Sequence, residues 1–210
     1  MTSLAPLHTL DANRFDAPAI LRKLVLASRH LAELKGVAAT IPNQSIPINT
    51  LALQEAKDSS AIENIVTTHD ELYQEGEFSQ VNHSTKEVLR YRQAPRAGPP
   101  QDACEVERLM GELERFWHDD PHFDVDPLIR MALIHHQFES IHPFYDGNGR
   151  TGRIVNVLYL VKEGLLDIPV LYLSRYIVRN KAEYYRLLQD VRARDAWEDW
   201  VLYMLTAVEQ

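Results

Sequence analysis

The 210-residue chain carries 22 Lys+Arg against 30 Asp+Glu, a formal net charge of −8, with 45% apolar and 25% charged residues. Those are ordinary values for a folded globular protein, so disorder is not expected, and the negative balance argues against nonspecific binding to nucleic acid or anionic membrane. No apolar run reaches the length of a membrane span, the N-terminus lacks a basic stretch leading into an apolar one, and a single cysteine, Cys104, excludes an intrachain disulfide, which together point to the cytoplasm.

Residues 17–35 read as an amphipathic helix opened by Pro18, with Ile20, Leu21, Leu24, Leu31 and Leu34 on an apolar face and Gly36 as the stop. A polar connector with Pro42 and Pro47 leads to a second helix, about 50–62, that ends in Glu63-Asn64. A carboxylate in a last turn faces the negative end of its own helix dipole, so a cation is expected beside Glu63. Residues 81–92 suggest another helix start, cut off by the proline and glycine of 93–101. Asp102 with Glu105 then resembles a capping box, and Val106, Leu109, Met110, Leu113, Phe116 and Trp117 follow at helical spacing, with Cys104 expected as a small core residue.

Asp126-Pro127 is an N-cap followed by proline at the first helical position, and Leu128, Met131, Ile134, His135 and Phe138 continue at helical spacing. The histidines at 135 and 136 are adjacent and do not share a helix face as an i, i+4 pair would, and structural or surface roles are expected for these and for the histidines at 118 and 122. A helix over 149–162 follows, with Ile154, Val157, Leu158 and Val161 as its buried face and Gly164 as its stop. Residues 165–173 read as a buried apolar connector. Tyr184, Leu187, Leu188 and Val191 form a further helix face, and Trp197, Trp200, Val201, Tyr203 and Met204 a last amphipathic helix.

The chemistry concentrates in 141–153, Ile-His-Pro-Phe-Tyr-Asp-Gly-Asn-Gly-Arg-Thr-Gly-Arg. Its glycines fall at a helix N-terminus, where the first N–H groups lack intrahelical partners and the dipole is positive, so an anion is favoured before any side chain is counted. Gly147 and Gly149 allow close backbone approach, and Arg150 and Arg153 add charged forks to phosphate oxygens. Asp146 is a hard oxygen ligand suited to Mg²⁺ bridging a carboxylate and substrate phosphates. His142 lies at the mouth, with an ordinary pKa of ~6.5 that suits a general base. Gly147-x-Gly149-x-x-Gly152 also satisfies the dinucleotide fingerprint, with Asp167 about where a ribose-binding acid would stand, but that motif follows a strand, and here a helix leads in. As a P-loop the segment fails at both chemical positions, because arginine and Ile154 replace lysine and the hydroxyl residue.

His142 to Arg153 resembles the signature of Fic-domain proteins, His-Pro-Phe-x-Asp/Glu-Gly-Asn-Gly/Lys-Arg-x-x-Arg, at every defined position. The resemblance implies an all-α Fic core over about 85–210 behind an N-terminal helical segment over 1–84. It implies transfer of AMP from ATP to a Tyr, Thr or Ser hydroxyl of a target protein, with pyrophosphate leaving. His142 would be the base and Asp146 the Mg²⁺ ligand. Gly147, Asn148, Gly149, Arg150, Thr151, Gly152 and Arg153 would hold the nucleotide, with Asn180 as a further contact and Tyr184 as a weaker candidate. Ser59-x-x-x-Glu63-Asn64 is similar to the inhibitory motif of one class of the family, in which Glu63 would pair with Arg153 and obstruct the γ-phosphate. Around 93–100 the chain departs from the family, which carries a longer segment and a target-aligning flap there. Two alternatives stay open: removal of AMP from modified protein, with Glu63 positioning a water, and a nucleotide-sensing interaction module without turnover. Self-modification and a homodimer are further partners the resemblance allows; no membrane or direct nucleic-acid partner is expected.

Overall fold

Every regular element among the described residues is helical, as the 3.6-residue periodicity predicts. The computed structural model describes residues 4–63, 102–119 and 123–210. The α-helices are α1 (Pro18–Ala39), α2 (Ser45–Ile62), α3 (Ala103–Asp119), α4 (Pro127–Ile141), α5 (Asn148–Lys162), α6 (Leu173–Arg179), α7 (Lys181–Arg194) and α8 (Trp197–Glu209), preceded by 3-10 turns at Leu7–Thr9 and Ala12–Asp16. The fold is therefore all-α. The expected helix start over 81–92, the shortened segment around 93–100, Asn64 and His122 lie outside the described residues.

The centre is α4, in which every residue but Pro127 and Arg130 is buried. Asp126 accepts from the Leu128 N–H at 2.8 Å and opens it as expected. The α3, α5 and α8 helices pack around it, and the Trp200 indole donates to the Ala132 carbonyl at 2.7 Å. Burying each large apolar side chain here, such as Leu128, Met131 or Leu133, contributes roughly 1.5–3 kcal/mol. The α1 helix closes the far side against α8, where Lys23 pairs with Glu209 at 2.6 Å.

Several expectations change in detail. Gly36 does not stop α1, which continues to Ala39 and ends where the Thr40 hydroxyl bonds the Val37 carbonyl ahead of Pro42. Its buried residues are Ile20, Ala27, Leu31 and Ala38, while Leu21 is 42% exposed. The α2 helix starts at Ser45, five residues early, because Pro47 falls in the first turn, where no intrahelical N–H bond is lost. In α3, Asp102 caps the Cys104 N–H at 3.0 Å, but Glu105 pairs with Arg108 instead of closing the box, and Cys104 is exposed, not core. The span and Gly164 stop of α5 hold, yet Ile154 and Leu158 are 54% and 52% exposed. Val157 is buried as expected, beside Tyr159 and Leu160, but the rest of the buried face is Asn148, Gly149, Gly152, Arg153 and Asn156, small or polar residues that apolar periodicity cannot register. His135 and His136 are buried and structural: Nε2 of His135 meets the Tyr184 hydroxyl at 2.9 Å, and Nε2 of His136 the Leu188 carbonyl at 3.2 Å. No described helix is long and apolar enough to cross a membrane.

Candidate active site

The site forms where α4 stops and α5 begins. His142 ends α4 with φ 54°, a left-handed conformation uncommon for a side chain larger than glycine, and its N–H bonds the Phe138 carbonyl at 3.0 Å. The loop that follows is closed by one amide: Asn148 accepts from the Phe144 N–H and donates to the Phe144 carbonyl, both at 2.7 Å. Gly147, at φ 79°, supplies the left-handed residue before α5, as its glycine predicts.

The first turn of α5 then presents its N–H groups to an anion, and the anion present is a side chain. Oε1 of Glu63 accepts from the Arg150 N–H at 3.1 Å and from Nη2 of Arg153 at 3.1 Å, while its other oxygen lies 3.6 Å from Nε of Arg150. A Cβ on residue 149 would stand 2.5 Å from the Glu63 oxygen and 2.8 Å from an Arg153 nitrogen, so only glycine leaves room for the carboxylate. Glu63 caps the C-terminus of α2, the unfavourable end of its own dipole, and resolves that conflict at the favourable end of α5. The cation expected beside it is there twice over.

Arg153 is 1% exposed. It also donates through Nε to the Ser59 hydroxyl at 2.8 Å and through Nη2 to the Ser59 carbonyl at 3.0 Å. The four-residue spacing of Ser59 and Glu63 is one helical turn, which brings both onto one guanidinium. Burial alone would lower the Arg153 pKa, but Tyr184 and the carboxylates of Glu139, Glu63 and Glu55 more than offset it and keep the charge.

His142 is held neutral: burial, with Arg192 adding, pushes its pKa down to about 4 against a backbone hydrogen bond to Glu139 and the field of Asp146. Asp146 is 45% exposed and lies 3.1 Å from Nη2 of Arg150. No group of three His, Cys, Asp or Glu side chains is arranged for a metal among the described residues. One exposed carboxylate beside an anion cradle nevertheless fits Mg²⁺, which binds through one or two carboxylates and completes its shell with phosphates and water. Asn180 joins α6 to α7, its amide donating to the Tyr176 carbonyl at 2.9 Å, and Tyr184 is a buried core residue.

Sequence reasoning missed how firmly α2 is fastened. Lys181 donates to the Ala61 carbonyl at 3.0 Å and the Tyr185 hydroxyl to the Ile62 carbonyl at 3.2 Å, satisfying the open end of α2. Glu55 accepts from the Ser174 N–H at 3.1 Å and from its hydroxyl, and burial raises its pKa against those bonds. The available signal was the polar stripe Glu55, Ser59, Glu63 at four-residue intervals.

A helical protein with a histidine, a carboxylate and paired arginines at one anion-binding helix start is the class this site defines. The family model described as Fic/DOC family N-terminal matches residues 21–99. The protein adenylyltransferase fic-1 of Caenorhabditis elegans is 32% identical over 83 residues, 40% of this chain and 15% of that protein. A probable protein adenylyltransferase of Aquifex aeolicus is 43% identical over 53 residues, 25% of this chain and 17% of that protein. The crystal structure of a Fic family protein from Desulfovibrio desulfuricans superposes with a TM-score of 0.67 at 20% identity, covering 98% of this chain and 74% of that one. The chain therefore has the fold of a Fic family protein and, over residues 21–99, matches the N-terminal model of that family. It spans under a fifth of the length of these curated relatives.

Proposed function

We propose that this chain transfers AMP from ATP to a hydroxyl side chain of a target protein and that Glu63 holds the reaction in check. The observation that carries this reading is the Glu63 carboxylate seated on the Arg150 N–H and on Arg153, where helix geometry and charge would otherwise receive a phosphate. In the reaction the target hydroxyl attacks the α-phosphorus, an O–P bond to the target forms, the bond to the β-phosphate oxygen breaks, and pyrophosphate leaves. His142, neutral at pH 7, takes the hydroxyl proton. The α5 amides and Arg150 bind the phosphates, and Arg153 joins them once Glu63 withdraws. Asp146 would hold Mg²⁺, which when bound neutralises charge on the leaving phosphates.

The test offers Glu63→Gly protein ATP labelled on either the α- or the γ-phosphate. Label on protein from α-ATP alone is the expected result. Label from γ-ATP would make the chain a phosphoryl transferase. Tight ATP binding with no label would leave a nucleotide-sensing module, and loss of AMP from pre-modified protein that needs Glu63 would make it an AMP-removing enzyme.

A further inference from the structure

A groove of about 320 Å³ separates α2 from α6, away from the α5 turn, and its charge is unlike that of the rest of the chain. Lys57 of α2 and Arg175 and Arg179 of α6 line it, with Asp58 and Tyr172 at its wall. Asp58 accepts a hydrogen bond from the Tyr172 hydroxyl. Arg175 and Arg179 against one engaged carboxylate leave the groove positive in a protein of net charge −8. Arg108 pairs with Glu105 and Glu112, and Arg186 with Glu183 and Asp190, whereas the groove offers Arg175 and Arg179 no such carboxylate. Arg175 and Arg179 make no ion pair among the described residues. They stand four apart on a seven-residue helix, where like charges repel and weaken the helix.

From this arrangement we infer that the groove is a binding site for a small oligoanion of the polyphosphate class, and that an anion bound there fastens α2 to α6. Two guanidinium forks one helical turn apart, faced by an ammonium, suit a compact multi-oxygen anion. An acidic protein partner would meet the repulsion of the whole −8 surface, whereas a small anion reads only the local potential within about one Debye length. The occupant would bridge the two helices already joined by Glu55 and Ser174. It would thereby favour the position of α2 that keeps Glu63 on Arg153. That inhibitory direction rests on the reading of Glu63 given above; the binding itself does not.

The experiment uses the parent protein and inorganic pyrophosphate as probe, without divalent metal and at constant ionic strength. Titration calorimetry should show one site that Arg175→Gln with Arg179→Gln weakens by at least about tenfold, while Arg150→Gln, which alters the α5 cradle, leaves it intact. At ten times the Kd, amide exchange across residues 45–63 should slow by about elevenfold if α2 can leave only after the ligand does. The double variant should lose that protection. No binding, or binding abolished by Arg150→Gln alone, overturns the site, and binding without slower exchange in α2 overturns the bridge. Neither readout depends on AMP transfer, so failure of that reaction leaves this test standing.

Discussion

In the proposed reaction His142 would be the base and Asp146 the metal ligand, and each assignment has its own signature. Because burial and Arg192 push His142 down to about 4, the base stays unprotonated well below the ordinary imidazole range. In Glu63→Gly protein, the acid limb of kcat/KM for transfer should fall near pH 4, with circular dichroism at each pH separating titration from unfolding; a limb near ~6.5 would show an unperturbed histidine. His142→Ala should remove transfer by ~10² to 10⁴ while ATP affinity stays within a few-fold, since a general base contributes little to ground-state binding. Asp146→Asn should shift the Mg²⁺ dependence of transfer to much higher metal concentration, and an unchanged metal titration would refute its role.

At the scale of elements, α2 and α5 meet through polar stripes rather than apolar ones. Gly152 lets α5 approach α4: a Cβ there would lie 3.1 Å from Phe138 and 3.2 Å from both Glu139 and His135. Gly152→Ala should therefore lower unfolding free energy by about 1–3 kcal/mol in denaturant titration, and a neutral result would mean that the helices can separate without loss. The same contact explains what could be read beforehand. The span of α5, its glycine stop, the caps at Asp102 and Asp126, and the meeting of Glu63 with Arg153 follow from local residue chemistry or from one long motif. Beyond Val157, the buried face of α5 does not, since glycine, arginine and asparagine have no apolar signal. The fastening of α2 by Lys181, Tyr185 and Ser174 joins residues 119 to 123 positions apart, a separation that helical periodicity cannot bridge.

For the whole molecule, histidines inside the core contribute to acid sensitivity. Burial pushes His135 and His136 down to about 3, with Arg153 and Arg192 respectively adding to the effect. Between about 6.5 and 3 the unfolded chain binds protons that the folded chain refuses, so this stability is full above about pH 6.5 and is lost as pH falls towards 3. Each histidine should contribute a slope of up to about 1.4 kcal/mol per pH unit in that window, and His136→Gln should remove one such contribution from the unfolding free energy measured against pH. The central claim also belongs to the whole molecule, because on the proposed function α2 would have to move relative to the core for ATP to meet Arg153. A charge-assisted pair of about 1.5–3 kcal/mol corresponds to roughly ten- to a hundredfold in the population of the open arrangement. The direct measurement is the initial rate of α-label incorporation by Glu63→Gly protein against the parent, with Glu63→Gly, Arg153→Ala as the control. The account predicts a rise of that order in the single variant and its loss in the double variant; equal rates in parent and Glu63→Gly would contradict it.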